Sequence, residues 1–306
     1  MAATDITSDI ANPDLEDRRQ LLDGLALAER RLVLGGVATA VLEGGDGDPI
    51  VLLHGPGESG AKWLRIVPDL VGTHRVVAPD LPAHGSSAVP TGPIAEDQIV
   101  RWLDDLIAAT CSTSPVLVGH ALGGAIAARY ASRHSDRIRS LVLVDTLGLA
   151  RFRPKPRFVL RMAAFLARPT GRRYDRFMEQ CSYDLDDLRD GMGEQWGPFR
   201  AYNVAAAKGP GSKAIGSMLR RLGARPIPAE ALEQITAPTI LVWGRHDRAN
   251  RLRVAERASL RYGWLLHVVE DCADDPPRDR PREFLTILRT VCPPVSIPDP
   301  EPDTRR

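Results

Sequence analysis

Gly119-His120-Ala121-Leu122-Gly123-Gly124 follows directly on the apolar run Pro115-Val116-Leu117-Val118 and leads without a loop into the helical pattern Leu122 to Arg133. A strand that becomes a helix this abruptly needs a tight turn and close helix-to-strand packing, and glycines remove the Cβ atoms that would obstruct both. The residue at the apex of that turn is Ala121.

Working outward, short apolar runs recur between helical patterns, as a mostly parallel sheet covered on both faces requires. Ile50 to Leu53 ends at His54-Gly55, Arg75 to Ala78 at Pro79-Asp80, and Leu141 to Val144, Thr239 to Trp243 and Trp264 to Val269 complete the series. Ala95 to Ala109 reads as a helix between runs, and Arg280 to Val291 as one after the last run. Leu32 to Leu42 reads as an antiparallel edge hairpin around Gly35-Gly36. The interval from about Leu149 to Ile235 is too long for one crossover and has a helical, Arg-rich pattern, which predicts an inserted cap. The expected division is therefore an N-terminal extension over 1–30, a core in two parts over 31–148 and 236–292, a helical cap over 149–235, and a disordered tail over 293–306, rich in Pro and Asp.

Composition bounds the partners. The 306 residues carry 40 basic and 39 acidic side chains, so no global field draws nucleic acid or an anionic bilayer, and recognition must be local. The first residues lack the apolar run of a usual secretory signal, and no stretch of about 18 apolar residues offers a membrane span, so a cytoplasmic protein is expected. Cys111, Cys181, Cys272 and Cys292 lie far apart without metal-ligand spacing and read as reduced thiols, with no metal or cofactor implied. Between Arg151 and Arg176 stand eight Arg and one Lys, with Asp175 the only acid. That stretch reads first as a solvated basic face and second as a surface for an anionic ligand or acidic partner.

The turn at Ala121, together with His54-Gly55, Asp80-Leu81-Pro82-Ala83-His84-Gly85-Ser86 and Trp243-Gly244-Arg245-His246-Asp247, resembles the α/β-hydrolase superfamily, and all four motifs fall in the family's order. The resemblance runs from about Leu32 to Val291 and implies an eight-stranded sheet with a cap over the pocket. It also implies a chemistry: a nucleophile lifted on the elbow, a His that takes its proton, a carboxylate that orients the His, and N–H donors for the oxyanion.

Three of those parts are altered. Ala121 stands where the family carries Ser, and a methyl group cannot attack a carbonyl. Asp247 matches the acid position, but alignment through Pro276 and Pro281 puts Asp274 at the base position, and no His follows His267. His267 itself falls within the last strand pattern. For the oxyanion, the resemblance assigns one donor to the N–H of Leu122 and the other to the residue after His54-Gly55. That residue is Pro56, which has no N–H; Gly57 would serve if the loop were shifted by one. One lost donor costs about 3 kcal/mol of transition-state stabilisation, whereas losing nucleophile and base removes the covalent route. His54 and His120 read as structural; Glu58 and Ser59 sit where they could reach the pocket mouth but read first as solvated loop residues.

An engineered serine-to-alanine change would explain Ala121 but not Asp274. The leading expectation is a non-hydrolytic small-molecule-binding protein on a hydrolase scaffold. The alternatives are an enzyme of lyase, cyclase or hydratase type using Asp247 and Asp274 as acid and base, and a hydrolase of carboxylic esters by another mechanism. If Asp247 and Asp274 converge, their repulsion should keep one protonated or recruit a cation or a basic ligand group, with the basic stretch forming an Arg rim above and the segment Phe158 to Leu166 an apolar lining between.

Overall fold

The computed structural model describes residues 14–292; residues 1–13 and the tail 293–306 lie outside them. Eight strands, β1 (Ala28–Leu34), β2 (Val37–Gly44), β3 (Asp48–Leu53), β4 (His74–Pro79), β5 (Val116–His120), β6 (Ser140–Val144), β7 (Thr239–Gly244) and β8 (Leu265–Val269), form one sheet in the order β1-β2-β4-β3-β5-β6-β7-β8. β1 and β2 make the antiparallel hairpin, β2 pairs antiparallel with β4, and every pairing from β4 to β8 is parallel.

The inner strands are apolar throughout because both faces are covered. Alternation assigns each side chain: Val51, Leu53, Leu117, Leu141, Leu143, Leu241 and Trp243 enter one core, and Ile50, Leu52, Val118, Val142, Val144, Ile240 and Val242 the other. The helix Glu96–Thr110 buries Ile99, Trp102, Leu103 and Leu106 on the first face, with Glu96 and Asp97 in its first turn, where the helix dipole favours acids. Phe284, Leu285 and Leu288 of the helix Pro281–Leu288 close the second.

Between β6 and β7 the helices Pro156–Ala167, Gly171–Cys181, Leu185–Met192 and Trp196–Ala206 share an apolar cluster around Phe158, Phe165, Tyr174 and Phe199, while the helix Ser212–Met218 sends Met218 into the first core of the sheet. The helix Asp14–Leu22 joins that cluster through Leu21. Buried Arg18 fixes it there, pairing with Asp80 at 3.0 Å and Glu29 at 2.7 Å and donating to the Tyr202 hydroxyl at 3.2 Å. Cys111, Cys181, Cys272 and Cys292 are free thiols. Among the described residues no helix is long and apolar enough to cross a membrane.

Candidate functional site

The turn between β5 and the helix Leu122–Ala131 places Ala121 at φ 48°, ψ −107°, a conformation that L-residues rarely adopt. It is held by the Ala121 N–H, which donates to the Val144 carbonyl at 3.0 Å, and by the Gly123 N–H, which donates to the His54 carbonyl at 3.1 Å. Only glycine fits at position 123, where a Cβ would lie 2.3 Å from the Leu53 carbonyl oxygen. The strained turn that lifts a side chain above the sheet is thus fully built, and what it lifts is a methyl group.

Above Ala121 lies a cavity of about 1100 Å³ whose lining includes Pro56, Gly57, Glu58, His120, Asp145, Asp247, Asp274 and Arg278. Phe158, Met162, Phe165, Tyr174 and Phe177 of the inserted helices give it apolar walls. The carboxyl ends of parallel strands, where ligands bind in open α/β sheets, supply its floor. Leu122, by contrast, buries its side chain in the core; its backbone N–H opens the helix, where no preceding turn offers it a carbonyl. The Gly55–Glu58 turn, closed by a 3.4 Å N–H to carbonyl bond, puts Gly57 at φ 78°.

Three carboxylates meet at this floor, one of which sequence reasoning missed. Asp247 accepts from the Ala249 and Asn250 N–H groups at 2.6 and 2.7 Å through Oδ1. Burial pushes its carboxyl up, those two donors pull it back, and it settles at about 7. Asp145, directly after β6, accepts from the Gly244 N–H at 3.0 Å, and burial followed by the Asp247 charge holds it well above the usual range. Asp145 Oδ2 and Asp247 Oδ2 have no other donor among the described residues, so a proton on Asp145 donated to Asp247 satisfies both. Burial and Asp247 also raise Asp274, against the partial relief of Arg278, whose Nη2 is 3.7 Å from its Oδ1.

A second buried cluster stands beside the first, and it corrects the reading of Glu58 as a solvated loop residue. Glu58 Oε2 accepts from the Gly55 N–H at 2.8 Å and lies 3.3 Å from His120 Nδ1. Lys62 Nζ is 2.7 Å from Asp275 Oδ2 and 3.8 Å from Glu58, while Arg278 Nη1 is 3.0 Å from Asp275 and 3.5 Å from Glu58. Burial alone would raise both carboxyls; Lys62 and Arg278 reverse that and hold Glu58 and Asp275 below the usual range. Ser59 is buried as well. Donor atoms of Glu58, His120 and Asp275 lie within 4.8 Å of one another, as a metal site requires, but the cation among them is the Lys62 ammonium, and a metal would have to displace it.

Neither imidazole near the turn is free to serve as a base. His120 Nε2–H donates to the Asp274 carbonyl at 2.7 Å, and its other nitrogen faces Glu58. His54 donates to the Gly55 carbonyl at 2.7 Å and accepts from the Leu81 N–H at 2.9 Å, and its burial lowers it to about 4. His267 lies in β8.

The expected Arg rim is not there. Arg31 and Arg278 are the only arginines lining the cavity among the described residues, because Arg151, Arg153, Arg157, Arg168, Arg172 and Arg176 are exposed on the outer surface.

Comparison with known proteins agrees with this architecture. A 2-hydroxy-6-oxo-2,4-heptadienoate hydrolase of Pseudomonas putida is 27% identical over 85% of this chain and 94% of its own length. A 2-hydroxy-6-oxo-6-(2'-aminophenyl)hexa-2,4-dienoic acid hydrolase of Metapseudomonas resinovorans is 37% identical, over 40% of this chain and 44% of its own. Among solved structures, a membrane phospholipase A described as a bacterial virulence factor superposes with a TM-score of 0.76 at 26% identity, over 91% of this chain and 90% of that one. The family model for the alpha/beta hydrolase fold matches residues 48–264, and with the eight-stranded sheet and the strained turn at Ala121 it establishes that the chain belongs to the α/β-hydrolase fold family.

Proposed function

We propose that the protein binds a small molecule in the cavity over Ala121 and does not hydrolyse esters by a serine route. In this reading residues 149–235 act as the cap over a core formed by 31–148 and 236–292, and the protein works in the cytoplasm. The observation that carries the proposal is the contrast at the elbow: a strained turn beneath a cavity of about 1100 Å³ carries a methyl group, with Asp274 rather than an imidazole beside Asp247. Two of the reported proteins are named as hydrolases of 2-hydroxy-6-oxo-2,4-dienoates and the third as a phospholipase A. All three names denote hydrolysis, for which this chain has no serine at the elbow, so no substrate is transferred here.

The lining defines the ligand. Apolar walls suit a hydrophobic body, while Asp145, Asp247 and Asp274 suit one hydrogen-bond-donating or cationic end. Thermal-shift screening of small molecules against wild type and Asp274→Asn tests this. The variant should melt higher without ligand, because a buried charge is removed, and should respond less to amines with apolar bodies. If Asp274→Asn changes neither the melting temperature nor any ligand response, the carboxylate floor is not a binding element.

A second reading has its own support. Asp247 at about 7 is partly protonated and partly ionised near neutrality, and Asp145 beside it is also raised, as acid/base catalysis of an elimination, cyclisation or hydration needs. Such turnover, lost in both Asp247→Asn and Asp274→Asn, would favour it. Ester hydrolysis by another mechanism is the third reading, and the name of the structurally similar phospholipase A is its support.

A further inference from the structure

The apolar arc of the helix Pro156–Ala167 extends well beyond its buried side. Its inner side is occupied: Phe158 packs edge-on against Phe177 with ring centroids 5.4 Å apart, and Phe165 stacks on the same ring at 6.0 Å. Beyond that side Val159, Leu160, Ala163 and Ala167 are exposed, Leu160 at 67%, and Leu166, which lines the cavity, also reaches the surface with 54% of its area exposed. A surface helix normally turns charged residues outward, so an apolar outer face marks an interaction site.

The charged residues that flank the helix in sequence, Asp175 apart, are all basic. Arg151, Arg153, Lys155 and Arg157 stand at the start of the helix and Arg168, Arg172 and Arg176 follow its end, all exposed. None of these seven has a carboxylate within salt-bridge distance among the described residues, and the one acid of the stretch, Asp175, is engaged by Arg200 at 2.9 Å and Arg189 at 3.4 Å. A second copy of this face would set seven cations against seven, and that repulsion disfavours self-association. A convex helix also offers no pocket for the anchoring side chain of an acidic protein. A lipid interface needs no complementary shape: it takes an apolar ridge into its acyl boundary while its phosphates pair with flanking cations.

We propose that the outer face of the helix Pro156–Ala167, with the cations that bracket it, docks the protein onto an anionic lipid bilayer. The helix, about 18 Å long, lies in the interface rather than spanning it. Because its inner side walls the cavity, docking sets the cavity one helix diameter, about 10 Å, from the lipid.

Flotation of the full chain with vesicles tests this. Binding is expected to equimolar phosphatidylcholine and phosphatidylglycerol, not to phosphatidylcholine alone, and to weaken as salt is raised. Replacing Arg168, Arg172 and Arg176 together by Glu should lower binding at least ~100-fold, since each cation contributes about five-fold. Leu160→Asp should lower it ~10-fold or more with unchanged melting, because the side chain is exposed in the free protein. Leu160→Trp should show blue-shifted emission on the anionic vesicles only. The proposal is overturned if the wild type does not float with anionic vesicles at low salt. It is equally overturned if Leu160→Asp binds as wild type, which would leave surface charge alone, or if light scattering shows that Leu160→Asp dissolves a dimer, which would make a second copy the occupant.

Discussion

At position 121 the backbone has the geometry of a nucleophile turn and the side chain has no nucleophile. Restoring the hydroxyl alone should therefore restore little: a serine without a neighbouring base stays protonated near neutrality. Ala121→Ser should hydrolyse p-nitrophenyl acetate no faster than wild type, and Ala121→Ser with Asp274→His should exceed either single change; full activity from the single Ser variant would place the base elsewhere. The ionic cluster makes a second prediction. Lys62→Met removes the ammonium 2.7 Å from fully buried Asp275 and should cost about 3–5 kcal/mol in urea unfolding, or less where Arg278 compensates. Sequence reading singled out Ala121 and Asp247 because each stands in a motif of known order, and Asp274 because Pro276 and Pro281 fix the alignment beside it; all three line the cavity. It missed Asp145, which belongs to no motif, although an acid directly after an apolar parallel strand is itself a signal. It misread Glu58 because its partners His120 and Arg278 are remote in sequence, and only folding reveals them.

At the scale of elements, the sheet was legible because parallel strands buried on both faces leave unbroken apolar runs. The elbow was legible for a different reason: its glycines are forced by contact. Gly123→Ala should destabilise the protein by about 3 kcal/mol in denaturant unfolding, since the new methyl meets backbone carbonyls of β3 and its loop that cannot yield. A change below about 0.5 kcal/mol would show that the turn relaxes freely. The inserted helices were legible in part: the apolar segment Phe158 to Leu166 does line the cavity, but the arginines beside it were assigned to the cavity rim when they face water.

For the whole molecule, the two buried clusters pull stability in opposite directions with pH. Asp247 rises on folding from 3.8 to about 7, and Asp145 and Asp274 rise too, so their contribution is present below about pH 4 and is lost as pH climbs through their folded values. Glu58 and Asp275 shift down, so theirs is present above about pH 4 and is lost on further acidification. Denaturant unfolding at stepped pH should show a stability maximum on the acid side of neutrality. Asp247→Asn should flatten the decline toward about pH 8, because its amide oxygen can still accept from Ala249 and Asn250. The central claim is that this hydrolase fold keeps a pocket without the serine route, and its most direct measurement is steady-state hydrolysis of p-nitrophenyl acetate by wild type beside Asp247→Ala. The account predicts no wild-type turnover above that of the variant; turnover that Asp247→Ala abolishes would contradict it.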